Sequence, residues 1–389
     1  MKIGIFGGSF DPPHNEHIRL AQAAIDGLGL DKLLIMPAYA PPHKSGKTLS
    51  PDSERLQLCQ LAFSSLKKAE VSDYEIERKG TSYTYLTCRH FKAEYPTAQL
   101  FWLVGTDMLR DFPTWKNPTE ILENVTLAVC ARNEKDGWLE TERAAFKEKF
   151  GKDFAVIGYN GLNVSSTKIR VLAGAGLRVN EYMPETLAEY ITEKRLYEIP
   201  QANAALALEK PERIAHSLRV AELAAARATA LKIPEKQAIA AALFHDCGKY
   251  LRLDNPLLIG FEEDTSYGVI PPSVLHQYTG AYVAEKRFGV TDSEVLDAVR
   301  YHTSGRPNMR PLEQLIFLAD MLEEERSYDG VDELRALFWQ GDSLDACLEK
   351  ALYETLEFLK KKGGDIYPLT KEAYQFYQKK GEKYGKGNE

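Results

Sequence analysis

The chain has 389 residues, of which 44% are hydrophobic and 27% charged; that length exceeds an ordinary single core and makes two domains the expectation. A formal net charge of -7 excludes long nucleic acid and anionic membranes as main partners, while leaving room for a local basic pocket that takes a nucleotide. No charged leader with an apolar run and cleavage site opens the sequence, and no stretch is long enough to cross a bilayer, so a cytoplasmic location is expected. The five cysteines are scattered, odd in number and without CxxC spacing, and read as reduced core thiols.

From Met1 to about Pro200, short apolar runs alternate with helical stretches. "KIGIF", "KLLIMP", "AQLFWLVG", "VTLAVCAR" and "FAVIGY" read as strands buried on both faces, because each is almost continuously apolar and ends in Gly, Pro or a polar turn. "HIRLAQAAIDGLGL" and "SPDSERLQLCQLAFSSL" carry helical spacing between them, and Ser50 with Pro51 makes a helix start. This alternation predicts an α/β Rossmann-like domain: an open parallel sheet with helices on both faces. Beyond Ile199 to Ala205 almost every segment reads as amphipathic helix. The expected domains are therefore residues 1–200 and an all-α domain over residues 201–389, with a frayed charged end.

The stretch "GIFGGSFDPPHNEH" follows the first strand, and in an open α/β sheet ligands bind beyond the carboxyl ends of the strands. Gly7 and Gly8 would let the backbone approach an anion, and a helix starting near His14 to His17 would offer it free N–H groups. Neither a P-loop nor a dinucleotide fingerprint is present. His14 and His17, three residues apart on the opening helical turn, would face the same way and donate to phosphoryl oxygens as charge builds in an in-line displacement. Such transfers need positioning and charge stabilisation, with Mg²⁺ sharing the load, rather than a covalent intermediate.

"GGSFDPPHNEH" together with "NVSSTKIR" resembles the nicotinate-mononucleotide adenylyltransferase family, marked by an HxGH motif and a late SSTxIR motif; "PAYAPPHK", "RKGTSYTYLT", "LVGTDMLRDFPTWKNPTEIL" and "CAR" follow in family order. The resemblance implies that His14 and His17 bind the ATP phosphates and stabilise the transition state, with Gly7, Gly8, Ser9 and Phe10 in the same loop. It assigns Ser165, Ser166, Thr167 and Arg170 to the triphosphate from the other side, with Lys44 and Arg132 adding positive charge. Tyr83, Thr84, Asp107 and Trp115 are implied to receive the nicotinate nucleotide. Packing roles for Tyr83 and Trp115, and a plain helix cap for Ser165 and Ser166, stay open at this point. Glu16 departs from the family, which has glycine there. Its side chain adds bulk and like charge next to the triphosphate, unless it turns outward to solvent or toward Mg²⁺.

In the second half His216, His245, His276 and His302 fall in separate helical segments, accompanied by Asp246 and Asp320. Imidazole and carboxylate on converging helices suit iron, manganese or zinc, and the set is not a soft thiolate site. "AHSLRVAELA", "ALFHDCGKY", "LHQYTGAYVA", "VRYHTSG" and "ADMLEEER" resemble the HD-domain metallohydrolases, and specifically the branch that cuts diadenosine tetraphosphate symmetrically into two ADP. That resemblance implies a dinuclear centre, iron or manganese, held by His216, His245, Asp246, His276, His302 and Asp320, with Asp246 bridging. Lys249 and Arg326 would bind the polyphosphate; surface charge is the competing reading for both.

Together these readings imply a fused enzyme of adenine nucleotide metabolism. Its partners would be ATP, nicotinate mononucleotide and diadenosine tetraphosphate, with quaternary structure, homo-oligomer or monomer, left open. The alternative is a first domain reduced by Glu16 to a nucleotide-binding module, with the HD domain the only active phosphohydrolase and its substrate another nucleotide.

Overall fold

The computed structural model describes residues 1–42, 48–132 and 138–385. The chain divides into two compact units, one formed by Met1–Ile169 with Arg178–Lys194 and the other by Arg170–Leu177 with the chain from Arg195 onward.

The first unit is built on six parallel strands: β1 (Lys2–Gly8), β2 (Lys32–Pro37), β3 (Ala69–Val71), β4 (Gln99–Gly105), β5 (Thr126–Arg132) and β6 (Ala155–Tyr159). Their spatial order is β3-β2-β1-β4-β5-β6. β1 lies at the centre, with Ile3 beside Lys32 of β2 on one side and Leu100 of β4 on the other. Ile3, Ile5, Leu34, Met36, Leu100, Trp102, Val104, Leu127 and Val129 are all buried in one cluster, which is why these runs carry no polar alternation. The order reverses between β1 and β4, opening a crevice at their carboxyl ends where doubly wound sheets take ligands. Five strands match the apolar runs of the sequence. The sixth, β3, has three partly exposed residues on the sheet edge and is too short to carry a periodic signal.

The second unit is helical. Its main helices are Pro211–Ala228, Glu235–Phe244, Pro272–Lys286, Ser293–Tyr301, Pro311–Leu322, Asp345–Lys362 and Pro368–Gly385. Pro at the first turn of several suits a position whose N–H has no intrahelical partner. The core is lined by small residues: Ala221, Ala224, Ala225 and Ala228 of one helix, and Ala238, Ala241 and Ala242 of the next, are buried in the same cluster, so the backbones pack closely. Leu315, Ile316 and Leu318 fill the middle of this core; full burial of each contributes roughly 2 kcal/mol.

The segment Arg170–Leu177 belongs with these helices although it precedes residue 200. Val171 and Ala175 are buried among Ile199, Ala202 and Ile239, and the Ile199 N–H donates to the Gly174 carbonyl at 3.1 Å. The sequence reading divides the chain after Pro200; the compact units divide at Lys194 and Arg195, with this earlier segment added. No helix among the described residues is long and apolar enough to cross a membrane. All five cysteines are free and buried.

Candidate functional sites

The loop after β1 forms the first site. Gly7 and Gly8 are required by packing: a Cβ on Gly7 would lie 2.9 Å from the Trp102 ring, and one on Gly8 2.9 Å from the Phe10 ring. Phe10 is buried at positive φ and meets the His17 ring edge-on at 5.2 Å. His14 is the N-cap of the helix Asn15–Leu28, and its N–H donates to His17 Nδ1 at 3.2 Å. That bond leaves Nε2 of His17 to carry the ring proton. The two imidazoles lie side by side, centroids 3.8 Å apart, so they form one pair at the carboxyl end of β1.

The loop is braced from below by Arg55, a residue that reads in the sequence as an ordinary helical charge. Fully buried, it donates to the carbonyls of Ser9 at 3.1 Å, Ala38 at 2.6 Å and Ser50 at 3.1 Å, and pairs with Asp52. Asp11 is likewise turned inward, accepting the N–H and hydroxyl of Ser50. Glu16 is buried too. Its carboxylate accepts from the Tyr159 hydroxyl at 2.8 Å and the Leu162 N–H at 2.5 Å, so it does not turn outward to solvent.

Among the other expected contacts, Ser166 Oγ donates to the Pro12 carbonyl at 2.9 Å, tying the SST segment to the loop after β1, and Ser165 Oγ caps the following helix at Lys168 N. Thr167 lies in the same first turn. Asp107 follows β4 across the crevice with its side chain 93% exposed. Tyr83 is the N-cap and Thr84 the first residue of the helix Thr84–Glu94; the adjoining Ser82 hydroxyl holds the N–H groups of Tyr39 and Ala40. Trp115 is buried against Phe112 in the sheet core, which favours its packing role. Arg170 is buried in the helical unit, where its Nε donates to Glu235 at 2.5 Å. Lys44 lies outside the described residues, as does the side chain of Arg132.

The second site lies inside the helical unit. His216 projects from Pro211–Ala228, His245 and Asp246 directly follow Glu235–Phe244, His276 sits on Pro272–Lys286, His302 ends Ser293–Tyr301, and Asp320 lies on Pro311–Leu322. These six form three overlapping groups whose ligating atoms lie within 4.8 Å of one another: His216, His245 and Asp246; His245, His302 and Asp320; Asp246, His276 and His302. Gly248 makes this convergence possible. A Cβ there would fall 2.6 Å from the His276 carbonyl, so only glycine lets the His245–Asp246 segment lie against the next helix.

Each ring is oriented by a partner on its far nitrogen or its edge. His245 Nδ1 donates to the Ala242 carbonyl at 2.6 Å and His302 Nδ1 to the Val299 carbonyl at 2.7 Å, leaving both Nε2 atoms as lone-pair donors facing the cluster. His216 Nδ1 meets Glu323 at 3.1 Å while its Nε2 faces Asp320 at 2.8 Å. His276 Nε2 faces His302 Nε2 at 3.0 Å. His245 Nε2 is buried with no hydrogen-bond partner, and Asp246 Oδ1, also without a hydrogen bond, has Lys249 Nζ at 3.4 Å and the Nε2 atoms of His276 and His302 at 3.3 and 3.5 Å around it, an arrangement that a divalent cation among these donors would satisfy. The nitrogen and oxygen donor set, the fixed tautomers and these two atoms fit a divalent metal centre.

Electrostatics agree with that fit. Burial pushes both His245 and His276 down to about 4, so each stays a neutral ligand in ordinary buffers. Burial opposes ionisation of Asp246 and Asp320, but His245 beside the former and the hydrogen bond from His216 to the latter hold both carboxyls well below the usual range. Arg213 Nε donates to Asp246 Oδ2.

At the rim, Lys249 Nζ lies 3.2 Å from His276 Nε2 and 3.4 Å from Asp246, and Arg326 donates to Asp320 at 2.7 Å. Both cations therefore belong to the site. Sequence reasoning missed Arg213 and Glu323. Glu323 is one of three successive glutamates in "MLEEER", and nothing but its position at the end of its helix separates it from its exposed neighbours. Glu209 also went unmarked; it holds the Ser217 hydroxyl at 2.8 Å, and burial pushes its carboxyl up to about 8.

Comparison with known proteins gives matches to each half of the chain. The cytidylyltransferase-like family model matches residues 5–172 and the HD domain model residues 213–325. A Mycoplasma genitalium protein named "Probable nicotinate-nucleotide adenylyltransferase/Ap4A hydrolase" is 31% identical over 85% of this chain and 89% of its own length. An Albidiferax ferrireducens protein named "Probable nicotinate-nucleotide adenylyltransferase" is 40% identical over 51% of this chain and 98% of its own. A crystal structure from Clostridium acetobutylicum, described as a "predicted HD superfamily hydrolase involved in NAD metabolism", shares 31% identity, with a TM-score of 0.43, and covers 46% of this chain and 95% of that one.

Proposed function

The chain belongs to the family that joins a nicotinate-nucleotide adenylyltransferase domain to an HD domain in one polypeptide, and from that premise we propose two reactions for it. The first unit transfers the adenylyl group of ATP to nicotinate mononucleotide, releasing pyrophosphate and forming nicotinate adenine dinucleotide. The side-by-side pair of His14 and His17 at the end of β1 carries this reading. The Nε2–H of His17 donates to a phosphoryl oxygen as negative charge develops, His14 supports it from the helix N-cap, and Ser165 and Ser166 face the triphosphate from the start of the next helix. Asp107 and the segment Tyr83–Thr84 contact the nucleotides. Mg²⁺ bound by ATP shares the phosphate charge.

The helical unit hydrolyses diadenosine tetraphosphate to two ADP. The buried His245 Nε2, which has no hydrogen-bond partner, within the six-residue cluster carries this reading. His216, His245, Asp246, His276, His302 and Asp320 would hold two divalent ions, iron or manganese. When bound, such ions supply Lewis acidity toward a phosphate and activate water at neutral pH. Lys249 and Arg326 bind phosphate oxygens of the chain being cut, and Arg213 Nε, donating to Asp246 Oδ2, holds that carboxylate in line.

Both reactions are tested on the full chain. With ATP, nicotinate mononucleotide and Mg²⁺ it should form the dinucleotide; with diadenosine tetraphosphate and Mn²⁺ or Fe²⁺ it should form ADP alone. Absence of the dinucleotide overturns the first reading. Faster turnover of another phosphoester in a nucleotide panel, or ATP and AMP as the products, overturns the second.

A further inference from the structure

Glu16 is the second residue of the helix Asn15–Leu28 and stands between the two histidines, yet it is only 3% exposed. Both its oxygens serve one segment: the Tyr159 hydroxyl at the end of β6 donates to Oε1, and the Leu162 N–H just beyond donates to Oε2. Hydrogen bonds to an ionised carboxylate are among the stronger ones, and a carboxylate in the first turn also suits the positive end of the helix. The same segment is held again at its far end, where Ser166 Oγ reaches the Pro12 carbonyl. The connection from Tyr159 to Ser166 is thus fastened at both ends to the stretch carrying His14 and His17.

We propose that Glu16 is a positioning residue: its carboxylate latches the segment 160–165 to the start of the histidine helix, so that Ser165 and Ser166 are held ready for ATP before it binds. The proposal rests on adenylyl transfer being the reaction of this unit. A preformed segment spares the ordering cost that ATP would otherwise meet on binding. Loss of the latch should therefore appear in the KM for ATP, leaving the KM for nicotinate mononucleotide and kcat close to their original values.

The test uses the full chain and four variants: Glu16→Gly, Glu16→Gln, Tyr159→Phe, and Glu16→Gly combined with Tyr159→Phe. Glu16→Gly should raise the KM for ATP about tenfold, with kcat within about threefold, the loss expected for one buried charged hydrogen-bond pair. Glu16→Gln should stay near the parent, because its amide oxygen accepts from Leu162 N–H while its NH₂ donates to the Tyr159 hydroxyl. Tyr159→Phe should raise the KM by a smaller factor and add nothing in the glycine background. Hydrolysis by the helical unit of the same preparations serves as the control for chain integrity. An unchanged or lower KM for ATP in Glu16→Gly overturns the latch, as does a Gln variant as impaired as the Gly variant. A parent chain that forms no dinucleotide overturns adenylyl transfer instead. The latch is then read by amide hydrogen exchange at Leu162, which should be slower in the parent than in Glu16→Gly; equal rates overturn it.

Discussion

The loop at the end of β1 and the cluster in the helical unit gather their polar groups by opposite routes. The loop takes its histidines from one short stretch, and its precision comes from bracing: Arg55 beneath it, Phe10 against His17, and Glu16 toward Tyr159 and Leu162. The cluster takes one or two residues from each of five helical segments, buries almost all of them, and leaves His245 Nε2 without a hydrogen bond. A local motif backed by a rigid sheet end tolerates the loss of one contact as a change in rate. A convergent buried site has no such reserve, because every member screens or orients another.

That contrast is broken or sharpened by substitution. The largest effect is expected for Asp246→Ala, which should reduce hydrolysis of diadenosine tetraphosphate by more than about 10³-fold and lower bound metal measured by elemental analysis, while dinucleotide formation stays within about twofold; a parallel loss of both activities would break the comparison. Chelation should do the same reversibly, with Mn²⁺ or Fe²⁺ restoring hydrolysis. Next, His17→Ala should lower kcat for adenylyl transfer about 10² to 10³-fold, the range seen when one transition-state donor is removed, and leave hydrolysis intact. Arg55→Ala strips a fully buried cation from three carbonyls and should destabilise the sheet unit by about 3 kcal/mol in a denaturant titration. Lys249→Ala should raise the KM for diadenosine tetraphosphate about tenfold, since its amine is a half-buried cation beside His276 at the rim of the cluster.

The smallest effect concerns pH. Burial lowers His245 and His276 from 6.5 to about 4 in the folded chain. Between those values the unfolded chain takes up protons that the folded one refuses, so these groups contribute stability above pH 6.5 and lose it as pH falls toward 4. Metal-free protein should therefore melt a few degrees lower at about pH 5 than at pH 7, and His245→Asn should flatten that slope in a thermal scan. An unaltered slope would show that neither ring is held neutral by burial.

Much of this was legible beforehand. Five of the six strands, the helical second half and the six residues of the cluster stand out in the sequence because apolar runs and ordered motifs are local signals. Glu16 shows where local reading fails: beside two histidines its carboxylate reads as a hazard to phosphate, while in the fold it faces a tyrosine more than a hundred residues away. The guanidinium of Arg170 likewise pairs with Glu235, a partner that local reading does not reach. Arg213, Arg55 and Glu323 look like ordinary helical charges until their burial is known.

The sequence by itself determined that a parallel sheet with a phosphate-facing turn precedes a helical unit rich in metal-type ligands, because hydrophobic period and motif order are properties of neighbouring residues. Only the tertiary structure decided which charges are spent on holding the sites together. A side chain's partner is set by the packing of distant segments, and the cost of burying a charge without one selects that partner.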